Sequence, residues 1–140
     1  MLREPRPLET AGAVAWARSL VGPDPFLAVS ADIHTAYDYS RLAPVAEAIA
    51  RDPARHAAHF VLVDNPAWHA KGDMGLEGGR VRRDGPTLTY ANISVFHPVL
   101  FDGIEAGTRL ALFPWSYRFV DEGRVTGERY SGEWDNVGTP

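Results

Sequence analysis

The chain has 140 residues, of which 45% are hydrophobic and 23% charged, which predicts one soluble globular domain (1–140) around a single core. The net charge of −4 excludes a general attraction to nucleic acid, and the lack of cysteine excludes disulfides and thiolate metal sites. No run approaches the roughly 20 apolar residues of a membrane span, and the N-terminus has no apolar stretch, so we expect a cytoplasmic protein.

The first part of the chain predicts a helix followed by a strand. Thr10 can cap a helix over about 11–21, and Gly22 follows as its stop. The next run, 26–31, is mostly apolar and ends at Asp32. Such continuous apolarity is typical of a strand covered on both faces, as in a parallel sheet.

A second helix and a second strand follow. Ser40 can cap a helix over about 41–51, in which Pro44 falls in the first turn, where proline is tolerated. The apolar run 60–63 then predicts a strand, which ends at 64–66 because proline cannot continue it. Strand, helix and strand in this order are the pattern of an α/β crossover.

Both predicted strands end in acidic residues. Ligands of α/β sheets gather at the carboxyl ends of the strands, so Asp32 and the pair Asp64–Asn65 lie where chemistry is expected. A carboxylate there can hold a divalent cation, because Mg²⁺ in phosphate-transfer sites takes one or two carboxylates together with phosphates and water. The alternative for Asp32 is a loop cap that bonds the backbone, and its position alone supports both interpretations equally.

The second half of the chain predicts shorter elements. We expect a meander of strands over about 74–96, a helical turn over 98–101, a helix over about 111–122 and an extended segment over 125–137. The basic cluster at 80–83, beside Gly78 and Gly79, is expected to be a solvated hairpin turn rather than a phosphate site.

Other kinds of site have less support. His56 and His59 lie three residues apart, but no third zinc ligand is evident, so packing at a helix end is the favoured interpretation. The sequence lacks a Gly-x-Ser-x-Gly elbow, a Walker A loop and a Gly-x-Gly-x-x-Gly fingerprint. Lys71 is the one lysine in the sequence, so a phosphate site built on lysine has only this candidate.

A series of short motifs resembles a known enzyme family. The motifs lie at 8–12, 25–32, 62–66, 71–73, 89–98, 123–130 and 134–140. In order and spacing they are similar to the nucleotidyltransferases that join a nucleoside triphosphate to a sugar 1-phosphate. Within that family they are most similar to the N-acetylmuramate-1-phosphate uridylyltransferases of bacterial cell-wall recycling, over nearly the whole chain.

The resemblance implies a three-layer, Rossmann-like α/β fold, dependence on Mg²⁺, and release of pyrophosphate when the sugar phosphate attacks the nucleotide's α-phosphorus. Asp32 matches the family's metal-binding aspartate and is the implied catalytic residue, although Ala31 replaces the usual glycine before it. Asn136 is the implied second metal ligand, where many relatives have aspartate. An amide oxygen can bind Mg²⁺ but brings no charge, so Asp135 is the alternative ligand.

The resemblance also implies residues that bind the two substrates. Three residues match the loop that lies against the nucleotide: Glu9, Thr10 and Gly12. This nucleotide is expected to be UTP. The following fall in segments that shape the pocket for the sugar 1-phosphate: Asn65, Asp73 and Asn92.

One part of the family pattern is not found in this sequence. Family members begin with a strand and a loop rich in Gly and Arg that wraps the triphosphate, and this loop would precede Glu4. They also usually continue beyond Gly-Thr-Pro into a final helix. We therefore expect the sequence to be the C-terminal part of a nucleotidyltransferase domain, incomplete at its N-terminus.

Two other functions stay open at this point. One is another specificity within the family, such as mannose 1-phosphate with GTP, because the residues that read the base lie mostly in the missing part. The other is a non-catalytic module that binds a sugar phosphate or a partner.

We predict that the isolated chain has no appreciable transferase activity, because charge on the phosphates would be neutralised only by the metal and scattered arginines. The measurement is pyrophosphate release with UTP, Mg²⁺ and N-acetylmuramic acid 1-phosphate. Turnover in the usual enzyme range of about 1–10³ s⁻¹ would contradict the prediction.

Overall fold

The computed structural model of the chain describes residues 23–30, 32–101 and 115–136, which form two β-sheets and several short helices. The strands are β1 Phe26–Val29, β2 Ile33–Thr35, β3 Ala58–Val63, β4 Gly75–Glu77, β5 Arg80–Arg82, β6 Thr89–Phe96, β7 Val125–Arg129 and β8 Trp134–Asn136. The α-helices are α1 Ala43–Arg51 and α2 Tyr117–Asp121, and 3-10 turns cover Tyr39–Leu42, Ala67–His69 and Pro98–Phe101. No helix within these ranges is long and apolar enough to span a membrane.

Six strands form the main sheet in the order β1-β6-β3-β7-β5-β4. β6 runs antiparallel to both of its neighbours, β1 and β3, whereas β3 and β7 are parallel. β1, β3 and β7 therefore point the same way, and their carboxyl ends lie at one edge of the sheet. The predicted α/β class is confirmed, as a mixed sheet with helices, and this carboxyl edge is where ligands of such sheets bind.

β3 is central to the sheet, and all six of its residues are buried. Its side chains alternate between two apolar clusters. Phe60 and Leu62 pack in the first cluster, and Val61 and Val63 pack in the second. Because both faces of β3 are covered, the continuous apolar run predicted this strand correctly.

β1 differs from the prediction. It is not covered on both faces beside a parallel neighbour: it stands at the end of the strand order, pairs antiparallel with β6, and alternates half-buried with exposed residues. Leu27 and Val29 are 45% and 40% exposed, whereas Phe26 packs against Phe96 and Phe101. The prediction of a doubly covered strand is wrong here, because an apolar run does not report which of its faces the tertiary structure covers.

The helix predicted over 41–51 is present with a different cap. Asp38, rather than Ser40, caps the 3-10 turn, because its carboxylate accepts hydrogen bonds from the Ser40 backbone N–H at 3.0 Å and the Ser40 hydroxyl at 2.6 Å. α1 then starts at Ala43, with a proline in its first turn as predicted. Its Ile49 is fully buried in the second cluster, which fixes the helix to the sheet.

The short elements predicted for the second half are largely present. β4 and β5 form a hairpin, in which Gly78 and Gly79 make the turn with φ of 60° and 79°, a region that glycine adopts without strain. The meander expected over 74–96 is wrong beyond this hairpin, because β6 pairs with β1 and β3 while β5 pairs with β7. The basic cluster at 80–83 lies on this hairpin, where Arg83 donates to Asp121 at 3.0 Å. The predicted solvated hairpin turn is therefore confirmed.

Other predicted elements are found in part. The turn over 98–101 is a 3-10 turn, and the extended segment over 125–137 consists of β7 and β8. The helix predicted over 111–122 is observed only as α2, and 111–114 lie outside the described residues. The helix predicted over 11–21 also lies outside them.

A chain of polar side chains links β3, β7 and the segment that follows β2. Thr126 Oγ1 lies 2.7 Å from His56 Nε2 and 2.8 Å from His59 Nδ1. Glu128 Oε1 lies 2.9 Å from His59 Nε2 and accepts a 2.9 Å hydrogen bond from the Tyr37 hydroxyl. The two histidines therefore meet at a threonine hydroxyl, and His59 belongs to a strand rather than to a helix end.

The hydrogen-bond chemistry fixes one part of this polar chain. An ionised Glu128 only accepts, so His59 Nε2 carries a proton. The Thr126 hydroxyl has a single proton, and besides the two histidine nitrogens it has the Ala58 carbonyl as an acceptor at 3.5 Å.

Three groups of this chain have shifted pKa values: burial raises the pKa of the Tyr37 hydroxyl, and the pKa values of His56 and Glu128 are lowered. Burial, together with nearby positive charge, lowers the pKa of His56 below its ordinary value of 6.5. The hydrogen bond from His59 is the main cause that lowers the pKa of Glu128 below its ordinary value of 4.5. In both cases the unfolded chain binds the proton more readily, so acid destabilises the fold, first through His56 and at lower pH through Glu128.

We predict that His56→Gln flattens the pH dependence of stability between about pH 7.5 and pH 5.5. The glutamine amide can still donate to Thr126 but does not titrate. The urea midpoint should fall over this range in the wild type and fall less in the variant. His34→Gln, at an exposed histidine paired with Glu133, is the matched control. An equal fall in wild type and His56→Gln would contradict the assignment.

Candidate active site

The two-stranded ribbon of β2 and β8 joins two distant parts of the chain. Its antiparallel register pairs Ile33 with Asn136, His34 with Asp135 and Thr35 with Trp134. Asp32 directly precedes Ile33, so it lies one residue along the ribbon from the partner of Asn136. The backbones of the two residues that the family resemblance implies as metal ligands are therefore close, although 104 positions separate them in the sequence. Asn136 lines the cleft described below, whereas Asp32 is not among its lining residues.

The alternation of side chains along β8 places its three residues on two different faces. Successive side chains of a strand point to opposite faces, so Trp134 and Asn136 share one face and Asp135 has the other. In agreement, Trp134 and Asn136 are half-buried while Asp135 is exposed. Asn136, rather than Asp135, therefore faces the same side as the cleft described next.

A cleft of about 240 Å³ lies beside this ribbon, near the carboxyl edge of the main sheet. Its lining comes from the 3-10 turn after β3 and the loop that follows this turn, from the first half of β6 and from β8. The lining residues are Trp68, His69, Asp73, Thr89, Tyr90, Asn92, Trp134 and Asn136. Three residues singled out from the sequence, Asp73, Asn92 and Asn136, are thus brought together.

Asn92 enters the cleft because β6 is irregular at this point. The register between β3 and β6 shifts between Phe60 and Leu62, which leaves the residues around Asn92 as a bulge. Asn92 has φ of 61°, a left-handed conformation that side-chain-bearing residues other than Asn and Asp seldom adopt. Its carbonyl accepts a 3.0 Å hydrogen bond from the Ser30 N–H. Bulges commonly redirect a side chain near active sites, and this one turns Asn92 toward the cleft.

Asp73 is held by both of its carboxylate oxygens. Oδ1 lies 2.8 Å from His69 Nε2, and Oδ2 accepts a 2.8 Å hydrogen bond from the Tyr90 N–H. Each carboxylate oxygen can accept a further hydrogen bond, so Asp73 is a fixed acceptor for a ligand hydroxyl.

Asn65 supports the cleft without lining it. Its Nδ2 donates to the Ala70 carbonyl at 3.2 Å and to Thr87 Oγ1 at 3.2 Å, and its Oδ1 accepts from Thr89 at 2.8 Å. Gly72 packs tightly against it, since a Cβ there would come within 2.6 Å of Asn65 Oδ1. The side chain therefore braces the loop that carries Trp68, His69 and Asp73 against the start of β6.

The other acidic and nucleotide-binding candidates have separate outcomes. Asp64, at the end of β3, forms a bidentate pair with Arg129, with distances of 2.9 Å from Nε to Oδ1 and 2.9 Å from NH2 to Oδ2. The hydrogen bonds from Arg129 lower the pKa of Asp64. The pair links the end of β3 to the end of β7. The three residues predicted to bind the nucleotide, Glu9, Thr10 and Gly12, lie outside the described residues.

Asp32 has the exposure and chemistry of a cation ligand. Its backbone N–H donates to Ser30 Oγ at 3.3 Å, and its side chain is exposed beside the ribbon. In the described part of the chain, no three His, Cys, Asp or Glu side chains lie close enough together to hold a metal ion by themselves. A cation at Asp32 and Asn136 would therefore need further oxygens from phosphates and water, which is the usual coordination of Mg²⁺.

Sequence comparison identifies a curated relative. The chain is 37% identical over 136 residues, 94% of its length, to N-acetylmuramate α-1-phosphate uridylyltransferase from Neisseria meningitidis serogroup B. The chain is a relative of the sugar-1-phosphate nucleotidyltransferases. It spans 58% of the length of that enzyme. No protein-family model matches the chain.

Solved structures that match the chain show the same fold. UDP-glucose pyrophosphorylase from Acinetobacter baumannii matches with a TM-score of 0.68 and 20% identity, over 99% of this chain and 54% of that one. HddC from Yersinia pseudotuberculosis, solved with GMP-PN, matches with a TM-score of 0.71 and 13% identity, over 99% of this chain and 61% of that one. The family resemblance and the Rossmann-like fold inferred from the motifs are thus confirmed.

Sequence reasoning missed part of the cleft of this nucleotidyltransferase relative. Trp68 and His69 were not singled out, because a tryptophan and a histidine after a strand carry no motif. The available signal was the placement of a large aromatic residue in a polar loop directly after β3, where ligands of α/β sheets gather.

We predict that Asn92→Gly is more stable than Asn92→Ala by about 1 kcal/mol, because only the alanine has a Cβ that strains a left-handed residue. Both variants remove the amide, so each serves as the control for the other. At an ordinary strand position the order is reversed, with alanine more stable by roughly 0.5–1 kcal/mol. Urea unfolding of both variants is the measurement, and an alanine variant as stable as the glycine variant would rule out the strained geometry.

Proposed function

We propose that the chain is the C-terminal part of an enzyme that transfers a uridylyl group from UTP to N-acetylmuramic acid 1-phosphate, giving the UDP-sugar and pyrophosphate. In this reaction a phosphate oxygen of the sugar 1-phosphate forms a bond to the α-phosphorus of UTP, and the bond between the α-phosphorus and the leaving pyrophosphate breaks. The role of the product in cell-wall recycling belongs to the same proposal. It rests on the 37% identity to the uridylyltransferase of Neisseria meningitidis.

The observation that carries the proposal is the pairing of Ile33 with Asn136. This pairing brings the backbone of Asp32, an exposed aspartate, close to that of Asn136, which lines a cleft together with Asp73 and Asn92. Charged phosphates would lie near the ribbon, and the uncharged hydroxyls of a sugar would lie deeper among fixed acceptors and amides. A sugar 1-phosphate has this division of polarity.

The donor set fits Mg²⁺. Asp32 would supply one carboxylate oxygen and Asn136 one amide oxygen, and the substrate phosphates and water would complete the shell. When bound, the ion would neutralise charge on the phosphates of the two substrates. With one carboxylate instead of two, the protein ligands alone hold the ion weakly, so we expect tight metal binding only together with the phosphate substrate.

The other cleft residues would orient the sugar. Asp73, fixed by His69 and the Tyr90 N–H, would accept a sugar hydroxyl, and Asn92 would donate or accept through its amide. Orientation of the sugar fixes the position of its phosphate relative to the ribbon. Correct positioning accounts for much of the rate of phosphoryl-type transfer.

We predict that the chain binds N-acetylmuramic acid 1-phosphate more tightly with Mg²⁺ than with a chelator, and that Asp32→Asn abolishes this difference. Asn92→Gly, which keeps the backbone conformation, should weaken binding about 3- to 10-fold, as expected for the loss of one hydrogen bond. Isothermal titration calorimetry measures both effects.

Asp24→Asn, at an exposed aspartate before β1, is the control for a loss of negative charge and should bind like the wild type. Asp135→Asn decides between the two ligand assignments, because a loss of Mg²⁺ dependence in this variant would transfer the role from Asn136 to Asp135. Glucose 1-phosphate and mannose 1-phosphate test the sugar. If either binds as tightly as N-acetylmuramic acid 1-phosphate, the proposed substrate is wrong, and if Mg²⁺ has no effect on the wild type, the metal assignment fails.

A further inference from the structure

Three aromatic rings form a row along one wall of the cleft. Trp68 and Trp134 stack with their ring centroids 6.4 Å apart and their planes at 26°. Trp68 also packs against the ring of His69, with the ring centroids 6.0 Å apart and the planes at 31°. All three residues line the cleft. We call this row the aromatic strip.

The two ends of the strip are anchored by hydrogen bonds. Trp134 Nε1 donates to the Ala91 carbonyl at 2.9 Å, and His69 Nε2 lies 2.8 Å from Asp73 Oδ1. Trp68, between them, is 49% exposed, which makes it the most exposed of the large hydrophobic residues in the described part of the chain. An exposed indole between two fixed rings offers a ligand a flat apolar surface at little cost in ordering, because its neighbours limit its movement.

The cleft also has polar lining residues. Asp73 and Asn92 present a fixed carboxylate and an amide, and Asn136 lies at the rim beside the ribbon. A cleft with one apolar wall and a few convergent polar groups matches a ligand that has one face of C–H groups and an edge of hydroxyls. A pyranose ring is such a ligand, since its ring hydrogens can pack on an aromatic face while its hydroxyls point sideways.

We infer that the aromatic strip is the surface on which the pyranose ring of the sugar 1-phosphate packs, and that Trp68 is the residue that selects for the sugar. The inference rests on the proposed function and extends it to two residues that no sequence motif assigned. Trp68 and Trp134 hold the apolar face of the ring, while Asp73 and Asn92 bind its hydroxyls.

The spacing along β8 favours a sugar 1-phosphate over the base of a nucleotide. Trp134 and Asn136 lie on the same face of β8, two residues apart. A ring packed on Trp134 thus has its phosphate close to Asn136.

The test is binding of N-acetylmuramic acid 1-phosphate to the chain in Mg²⁺, by calorimetry and by the indole N–H signals in NMR spectra. Trp68→Ala should raise the Kd about five- to tenfold, whereas Trp68→Phe, which keeps a flat ring, should stay within about twofold of the wild type. Binding of inorganic phosphate should be unchanged in both variants. The indole signals of Trp68 and Trp134, assigned from Trp68→Phe and Trp134→Phe, should move with the sugar phosphate and stay in place with inorganic phosphate.

Tyr39→Ala removes an aromatic residue of similar exposure, 37%, outside the cleft, and should bind like the wild type. If the wild type binds the sugar phosphate and Trp68→Ala binds it equally well, the inference fails and the proposed function stands. If UTP moves the two indole signals and the sugar phosphate does not, the strip binds the nucleotide and the inference is again wrong. If the wild type binds no sugar phosphate at all, the proposed function fails and the inference fails with it.

Discussion

The pairing of β2 with β8 is the constraint on which the candidate site depends. Only three residue pairs close this ribbon, but they are the contacts that bring Asp32 to Asn136. The Thr35 hydroxyl and the Ala36 N–H both bond the Glu133 carbonyl, which adds two hydrogen bonds at the open end of the ribbon. The same pairing fixes which side chains of β8 face the cleft, because a shift by one residue would turn Asp135 inward and Asn136 outward.

The main sheet contributes the other half of the site through a local irregularity. A regular β6 would keep both neighbours of Asn92 paired with β3 and would leave no room to redirect its side chain. The bulge removes these pairs, and the lost backbone hydrogen bonds are partly replaced: Ser30 donates to the Asn92 carbonyl, and the Trp134 indole donates to the Ala91 carbonyl. The donor Trp134 comes from the ribbon itself, so the bulge and the ribbon stabilise each other.

The sequence predicted those features that depend on local chemistry. The burial of β3, the glycine turn between β4 and β5 and the proline in the first turn of α1 each follow from a few adjacent residues. The covering of β1 was predicted wrongly, because it depends on which strands lie beside it. Asp32 was proposed as a site residue from its position after an apolar run, and the resemblance to a family added Asn92 and Asn136.

The rest of the site could not be predicted, since it comes from contacts between distant segments. Nothing near Asn65 in the sequence indicates that its amide would brace two loops through Thr87 and Thr89. In the same way, the stacking of Trp68 on Trp134 joins residues 66 positions apart. Only the β3–β6–β7 arrangement brings these loops to one edge.

The ribbon also has a consequence for the order in which the protein folds. Closing a loop costs more entropy as the loop lengthens, and contacts between distant residues form more slowly than local ones. The β4–β5 hairpin joins residues that are nearly adjacent, whereas Thr35 and Glu133 are 98 positions apart. The hairpin can therefore form early, and the ribbon is expected to close late. A chain stopped between these two events would have the hairpin formed while Asp32 and Asn136 were still apart.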